Sequence, residues 1–151
     1  MKKIFMPMLL TLLISGCSSS KVEAATPTKT SRDYNEFADL YLEWKNLFSP
    51  AKSQYFVYIY SISCSHCNTI KQDVLAFVNE YKDYCYLTEY TQDIKLSSNV
   101  SNTIGKEKVE EVFILGTPTL IEISDKHVAV NIAGEKDILN YIGLLPHNIC
   151  S

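Results

Sequence analysis

The sequence predicts an α/β domain with a central mixed β-sheet flanked by helices on both faces. Three observations carry this. Tyr55-Phe56-Val57-Tyr58-Ile59-Tyr60, with Ile62 just beyond, is a nearly unbroken apolar run, the pattern of a strand covered on both sides. A helical pattern separates it from a second strand-like stretch at 84–90, and a long helix between two strands implies a right-handed parallel crossover. Farther on, two strand-like stretches meet at Ser124-Asp125-Lys126, which makes an antiparallel hairpin.

The front of the chain lies outside this domain. Lys2 and Lys3 form a basic start, and 4–14 is apolar apart from Pro7 and Thr11. That run is too short to span a bilayer but suits the core of a signal peptide. It ends in Leu13-Ile14-Ser15-Gly16-Cys17, which resembles the bacterial lipobox, whose cysteine is lipidated and becomes the new N-terminus. Residues 1–16 then form a lipoprotein signal peptide, with Cys17 as the lipidation site. The alternative is an ordinary signal peptide with an incidental cysteine. A diacylglyceryl group supplies two acyl chains, and two signals are what stable anchoring takes. Residues 17–32, rich in Ser, Thr and Ala with Pro27, read as a flexible tether. The expected location is the extracytoplasmic face of a bacterial cell membrane, where disulfides persist.

The domain itself is expected at 33–151. Tyr34, Phe37, Ala38, Tyr41, Leu42, Leu47 and Phe48 recur at helical spacing, with Asp33 and Glu36 spaced as a capping box and Pro50 beyond the end. After the strand at 55–62, Ile70, Val74, Phe77, Val78 and Tyr81 mark one face of a helix reaching about Asp83. Tyr84 to Tyr90 favours a strand. Residues 91–116 show the least pattern. They read as loop followed by a short helix at 106–113, with Val109, Val112 and Phe113 inward. Thr117-Pro118 opens the hairpin of 119–123 and 127–133. Gly134 then precedes a last helix with Ile138, Leu139, Tyr141, Ile142 and Leu145 as its apolar set, and Pro146 ends it.

Chemistry concentrates in Cys64-Ser65-His66-Cys67, where the buried strand hands over to the helix. The first turn of a helix has unpaired backbone N–H groups and partial positive charge. A thiol held there ionises more readily, and the thiolate is the nucleophile in disulfide exchange. A structural zinc site needs about four ligands, usually from two such pairs, and the sequence has no second Cys-x-x-Cys. Covalent haem attachment needs a His after the second cysteine, where Asn68 stands. Redox exchange requires only the residues present, so no cofactor and no metal is expected. A net charge of −3 in 151 residues, with 46% apolar and 21% charged, describes an ordinary globular protein and points away from nucleic acid as a partner.

The order helix, strand, Cys-x-x-Cys, helix, strand, irregular segment, Gly116-Thr117-Pro118-Thr119, hairpin, helix resembles the thioredoxin superfamily over 33–145. The resemblance implies a thioredoxin fold and thiol–disulfide oxidoreductase activity. Cys64 would form the mixed disulfide and Cys67 resolve it, supported by Ser65 and by His66, whose presence would favour the Cys64 thiolate. It implies a cis Thr117–Pro118 bond beside the disulfide, with the Thr117 backbone offered to a substrate chain. Its partners would be protein thiol or disulfide substrates and a membrane redox partner. Two positions depart from the family. Tyr58 stands where a buried carboxylate often assists the second cysteine, and Ser63 replaces the usual aromatic. The stretch between Cys67 and Pro118 is too short for the large helical insertion of DsbA-type oxidases. Two other functions fit the same residues: a non-catalytic accessory subunit of a transporter or bacteriocin system, and a dithiol metal carrier.

Cys85 and Cys150 are left once Cys17 and the redox pair are assigned. The inferred topology brings the tail after the last helix to the end where Cys85 begins, so a structural disulfide between them is geometrically open. It would be worth roughly 4 kcal/mol by the chain-entropy model. The other reading makes Cys85 a small buried hydrophobe and Cys150 a free terminal thiol.

Overall fold

A computed structural model describes residues 31–145. Its centre is a four-stranded mixed sheet. Strand β1, Gln54–Tyr60, lies between β2, Cys85–Glu89, and β5, Thr119–Ser124; β6, His127–Ala133, completes the order β2-β1-β5-β6. β1 runs parallel to β2, pairing Phe56 with Cys85 and Tyr60 with Glu89, and antiparallel to β5, pairing Gln54 with Ser124 and Ile59 with Thr119. Helix α1, Ser65–Glu80, makes the crossover between the parallel strands. Helix α2, Glu135–Leu144, follows β6.

Alternation along β1 sorts its side chains into two cores, because successive Cβ atoms point to opposite faces. Phe56, Tyr58 and Tyr60 join Ile70, Val74, Leu75 and Val78 of α1 and Ile138 of α2. Tyr55, Val57 and Ile59 join Trp44, Leu47, Ile94, Val112, Ile114, Ile121 and Val128 on the other face. Each fully buried aliphatic or aromatic side chain contributes about 1.5–3 kcal/mol relative to exposure. Both faces of β1 are therefore covered, as its unbroken apolar run implies. The second face is closed by short 3-10 helices and irregular chain; both α-helices lie on the first.

The segment before β1 departs from the single helix its spacing suggests. The capping box of Asp33 and Glu36 forms, but the 3-10 helix Tyr34–Leu40 kinks at Phe37. The chain then extends, Leu42 N–H donates to Leu87 C=O at 2.8 Å, and Tyr41 bridges Leu87 in parallel. A second 3-10 turn, Trp44–Asn46, follows. The outer edge of β2 takes up these backbone groups, and that tertiary pairing overrides the local helical spacing. An uncovered edge would otherwise leave a row of unpaired donors and acceptors.

Residues 91–116 hold two strands that have no periodic signature. Lys95–Leu96 (β3) pairs in parallel with Phe113–Ile114 (β4). In place of the expected helix at 106–113 there is a single 3-10 turn, Val109–Glu111. Val112 is buried and Phe113 half-buried. Gly105, with φ of 79°, turns the chain so that its N–H donates to Val128 C=O, while Val128 N–H donates to Lys106 C=O. The outer edge of β6 is thereby paired too.

The hairpin forms as expected. Asp125 and Lys126 both take positive φ, 48° and 69°, the geometry of a tight turn matched to strand twist. α2 starts beside Pro118, whose C=O accepts from Gly134 N–H at 3.0 Å. Near its other end Tyr141 donates to the carboxylate of Glu122, which pairs directly with Phe56 and is hence level with Cys85. α2 thus runs back toward the end of the sheet where Cys85 is buried. Cys150 lies outside the described residues, as do Cys17, the signal peptide and nearly all of the tether. Among the described residues no helix is long and apolar enough to cross a membrane.

Candidate active site

Cys64 is the N-cap of α1, with extended backbone angles, and Cys67 lies in the first turn. The residues between β1 and α1 form a tight turn in which Cys64 N–H donates to Ser61 C=O at 3.1 Å. This geometry aims the Cys64 sulfur at the start of the helix. Cys67 N–H donates to Cys64 Sγ at 3.1 Å, and Cys64 Sγ lies 3.3 Å from Thr117 C=O as donor. The Thr117–Pro118 bond is cis and faces the dithiol from the start of β5. Residues distant in sequence, Cys64-Cys67 and Thr117-Pro118, are thus brought into one site at the end of the sheet.

The two thiols differ. Cys64 is half-buried, and Cys67 is buried with 0% exposure. Burial pushes the Cys64 thiol up. Hydrogen bonds from the Cys67 and Thr117 side chains, and from the Cys67 and His66 backbone N–H groups, outweigh it and hold the thiol below its ordinary value. Cys67 goes the other way: burial, then its hydrogen bond to Cys64, push it up to about 11. A negative charge on Cys64 is solvated by helix-end donors, whereas one on Cys67 has few donors to meet it. Reduced protein should therefore alkylate first at Cys64. The rate should rise through the lowered Cys64 pKa and reach its plateau below the ordinary 9.0. Cys67 should stay unlabelled until about pH 11. Equal labelling of both from about pH 6 upward would contradict the asymmetry.

His66 has a different place from the one its position suggests. Its ring is exposed, and Nδ1 lies 2.7 Å from Glu135 Oε1 in the first turn of α2. What Cys64 receives from His66 is the backbone N–H, which any residue except proline supplies. A ring that favoured the Cys64 thiolate, as the resemblance implies, would make the disulfide harder to reduce when removed. The geometry instead predicts that His66→Ala shifts the potential by less than about 30 mV, the equivalent of tenfold in equilibrium. A larger shift, measured against a thiol–disulfide buffer, would restore the ring to the thiolate. Ser65 is exposed at the helix start, and its carbonyl accepts from Thr69 Oγ1 at 3.2 Å.

Glu135 itself was not legible as a site residue. The signal available was its position one residue after Gly134, in a helix that the hairpin returns to Pro118. His66, Thr117, Pro118, Gly134 and Glu135 line an open cleft of about 370 Å³ between the starts of α1 and α2. A second groove, about 580 Å³, lies on the far side of α1's first turns, between Tyr34, Tyr60, Ile62, Asn68 and Lys71. Ile62, read as the continuation of β1, lies past the strand end at Tyr60 and is 68% exposed on this rim. Among the described residues no cluster of three or more His, Cys, Asp or Glu is arranged to hold a metal ion.

The strand order, the Cys-x-x-Cys at the start of α1 and the cis-proline facing it define a thioredoxin fold. No protein-family model matches the chain, and no curated protein matches it in sequence. Solved structures similar to it include thioredoxin f2 of Chlamydomonas reinhardtii, 13% identical, with a TM-score of 0.47 over 74% of this chain and 98% of that one. The spinach chloroplast thioredoxin f, long form, is 14% identical with a TM-score of 0.47, covering 72% and 91% of the two chains. The oxidized mitochondrial thioredoxin 3 of Saccharomyces cerevisiae is 12% identical with a TM-score of 0.45, covering 72% and 95%.

Proposed function

We propose that this protein is a membrane-anchored, extracytoplasmic thiol–disulfide oxidoreductase that exchanges disulfides with envelope or secreted proteins through Cys64 and Cys67. The observation that carries the reading is the asymmetry of the dithiol beside the cis-proline: one accessible thiol held below its ordinary pKa, one buried thiol held above it.

In the reducing direction the Cys64 thiolate attacks a substrate disulfide. A Cys64–substrate bond forms, the substrate S–S bond breaks, and one substrate sulfur leaves as thiolate and takes a proton from water. Cys67 then loses its proton and attacks Cys64 Sγ. The Cys64–Cys67 disulfide forms and the second substrate thiolate departs. The substrate gains two electrons and the dithiol loses two. Run backward, the same steps oxidise a substrate dithiol. The Thr117 backbone, at the cis bond, meets the substrate chain, and a membrane redox partner returns the pair to its starting state. A thiolate stabilised in the reduced form makes the disulfide the better oxidant, which favours the oxidising direction.

Anchoring through a lipid on Cys17 follows from the lipobox-like sequence, and it places these exchanges at the outer face of a bacterial membrane. Mass spectrometry of the membrane fraction should find a lipid adduct on an N-terminal Cys17. A soluble protein cut elsewhere would reject the anchor without touching the redox chemistry. The reading as a non-catalytic accessory subunit draws on Tyr58 in the place of a buried acid. Turnover of a small disulfide, with Cys64→Ser as control, separates the two.

A further inference from the structure

Cys67 poses a proton-transfer problem. It has no solvent exposure and stays protonated at neutral pH, yet it must give up a proton before it can attack Cys64. The buried carboxylate that could take that proton is missing. Among the described residues Glu122 is the one buried acid. Its two oxygens are occupied, by Gln54 Nε2 at 2.7 Å and by Tyr141 OH, at the level of Phe56 and away from the dithiol.

What the core around Cys67 contains is tyrosine. Tyr34, Tyr58 and Tyr60 pack in the same cluster as Cys67, with Cys64 against it. Their rings stack: Tyr34 on Tyr60 at 3.7 Å between centroids, Tyr58 with Tyr34 at 6.5 Å and with Tyr60 at 6.3 Å. Tyr58 is 1% exposed and Tyr34 8%, and neither hydroxyl has a hydrogen-bond partner. The two hydroxyls are near enough to influence one another without good hydrogen-bond geometry. Both also feel a charge on Cys67 more strongly than one on Cys64. Buried hydroxyls are ordinarily paired, and an unpaired one costs free energy unless it recruits water or serves a purpose. Tyr34 also lines the open groove beside Asn68 and Lys71, so it stands between Tyr58 and solvent. Lys71 lies over the Tyr34 ring and pairs with Asp33 at 2.9 Å.

We propose that the Tyr58 and Tyr34 hydroxyls, with water drawn to their unfilled hydrogen-bonding positions, form a neutral proton path between Cys67 and the groove. The proposal rests on the redox reading above. As Cys67 attacks Cys64 Sγ, its proton passes to the water or Tyr58 oxygen beside it. Tyr58 passes its own proton on to Tyr34, and Tyr34 releases one to the groove. Each hydroxyl ends as it began, and the proton leaves as hydronium or to buffer. In the opposite direction Cys67 leaves as a thiolate and is reprotonated along the same path. Both phenols are held well above their ordinary value by burial first, so neither ionises and no fixed negative charge opposes the Cys67 thiolate.

The test follows a mixed disulfide between Cys64 and a chromogenic aromatic thiol, and measures its release by Cys67 in full-length protein. Tyr58→Phe and Tyr34→Phe remove one oxygen each and keep the rings. Release at neutral pH should slow roughly 100-fold in Tyr58→Phe, at the low end of general acid–base effects. Tyr34→Phe should slow it similarly, and the double variant no further, because both interrupt one path. The difference should shrink as pH rises toward the Cys67 value of about 11. Alkylation of Cys64 should be unchanged. Equal release in wild type and Tyr58→Phe would overturn the path. So would a slowing that persists at high pH together with slower Cys64 alkylation, which is the signature of disturbed packing. No release even from wild type would instead overturn the redox reading and the path with it.

Discussion

Cys64→Ser protein should turn over no disulfide above the rate of free thiol in solution, while its fold and stability should stay close to wild type. The reason lies in how the site divides its labour. The donors that lower the Cys64 pKa outweigh its burial: the side chains of Cys67 and Thr117 and the Cys67 and His66 backbone N–H groups at the start of α1. Serine supplies a hydroxyl oxygen in place of the sulfur that caps α1, and serine is among the best N-caps. A hydroxyl is nonetheless no nucleophile toward disulfides at neutral pH. Cys67 cannot substitute, because it is wholly buried and its thiol is pushed up to about 11. Loss of activity with retained stability is thus the expected pair of results. Residual turnover within tenfold of wild type would show that Cys67 or Cys85 can act alone, and the assignment of the nucleophile would fail.

The second large effect falls on stability. Ile59→Ala should destabilise the domain by about 3 kcal/mol, within the 2–5 kcal/mol found for such truncations in packed cores. Ile59 has 0% exposure, and its backbone pairs with Thr88 on one side and Thr119 on the other. Its side chain fills the second core with Trp44, Val57 and Ile121. A backbone pinned by two strands has little room to collapse into the space left. Since a domain of this size is stable by only about 5–15 kcal/mol, the denaturant midpoint should drop sharply while the slope stays the same. Cys64 alkylation in the folded protein should not change, because Ile59 faces away from the core of Cys67. A loss below about 1 kcal/mol would mean that this face is loosely covered by the 91–116 segment.

That segment also marks where sequence reading stopped being informative. β1, α1, β2 and the hairpin were legible because each is long enough to repeat its period against a buried face. Two-residue strands such as β3 and β4 have no period to detect; their existence depends on each other and on Asn131, whose Nδ2 donates to Phe113 C=O at 2.8 Å and to Thr103 Oγ1 at 2.9 Å. The stretch before β1 misled for the opposite reason. Tyr34 to Phe48 has helical spacing, and the Asp33 cap forms, but the edge of β2 claims Leu42. A long-range backbone pairing of that kind leaves no local trace.

The site divides along the same line. Cys64, Cys67, Thr117 and Pro118 could be placed because the strand–helix junction and the residues before the hairpin are local patterns. The pairing of His66 with Glu135 and the stacking of Tyr34 on Tyr58 and Tyr60 join residues far apart in sequence. In sequence Tyr58 stands out from its apolar strand as a departure from the expected acid, and its companion Tyr34 reads as one more core residue of a helix.

The central claim is that Cys64 and Cys67 form a redox couple, and its reduction potential tests that most directly. Equilibration with thiol–disulfide buffers, read by quantitative alkylation of Cys64 and Cys67, should give one reversible two-electron transition. The potential should lie between about −270 and −120 mV, the span from thioredoxin to a strong oxidase. Failure of the pair to oxidise reversibly, or a potential below about −300 mV like that of a structural disulfide, would contradict it.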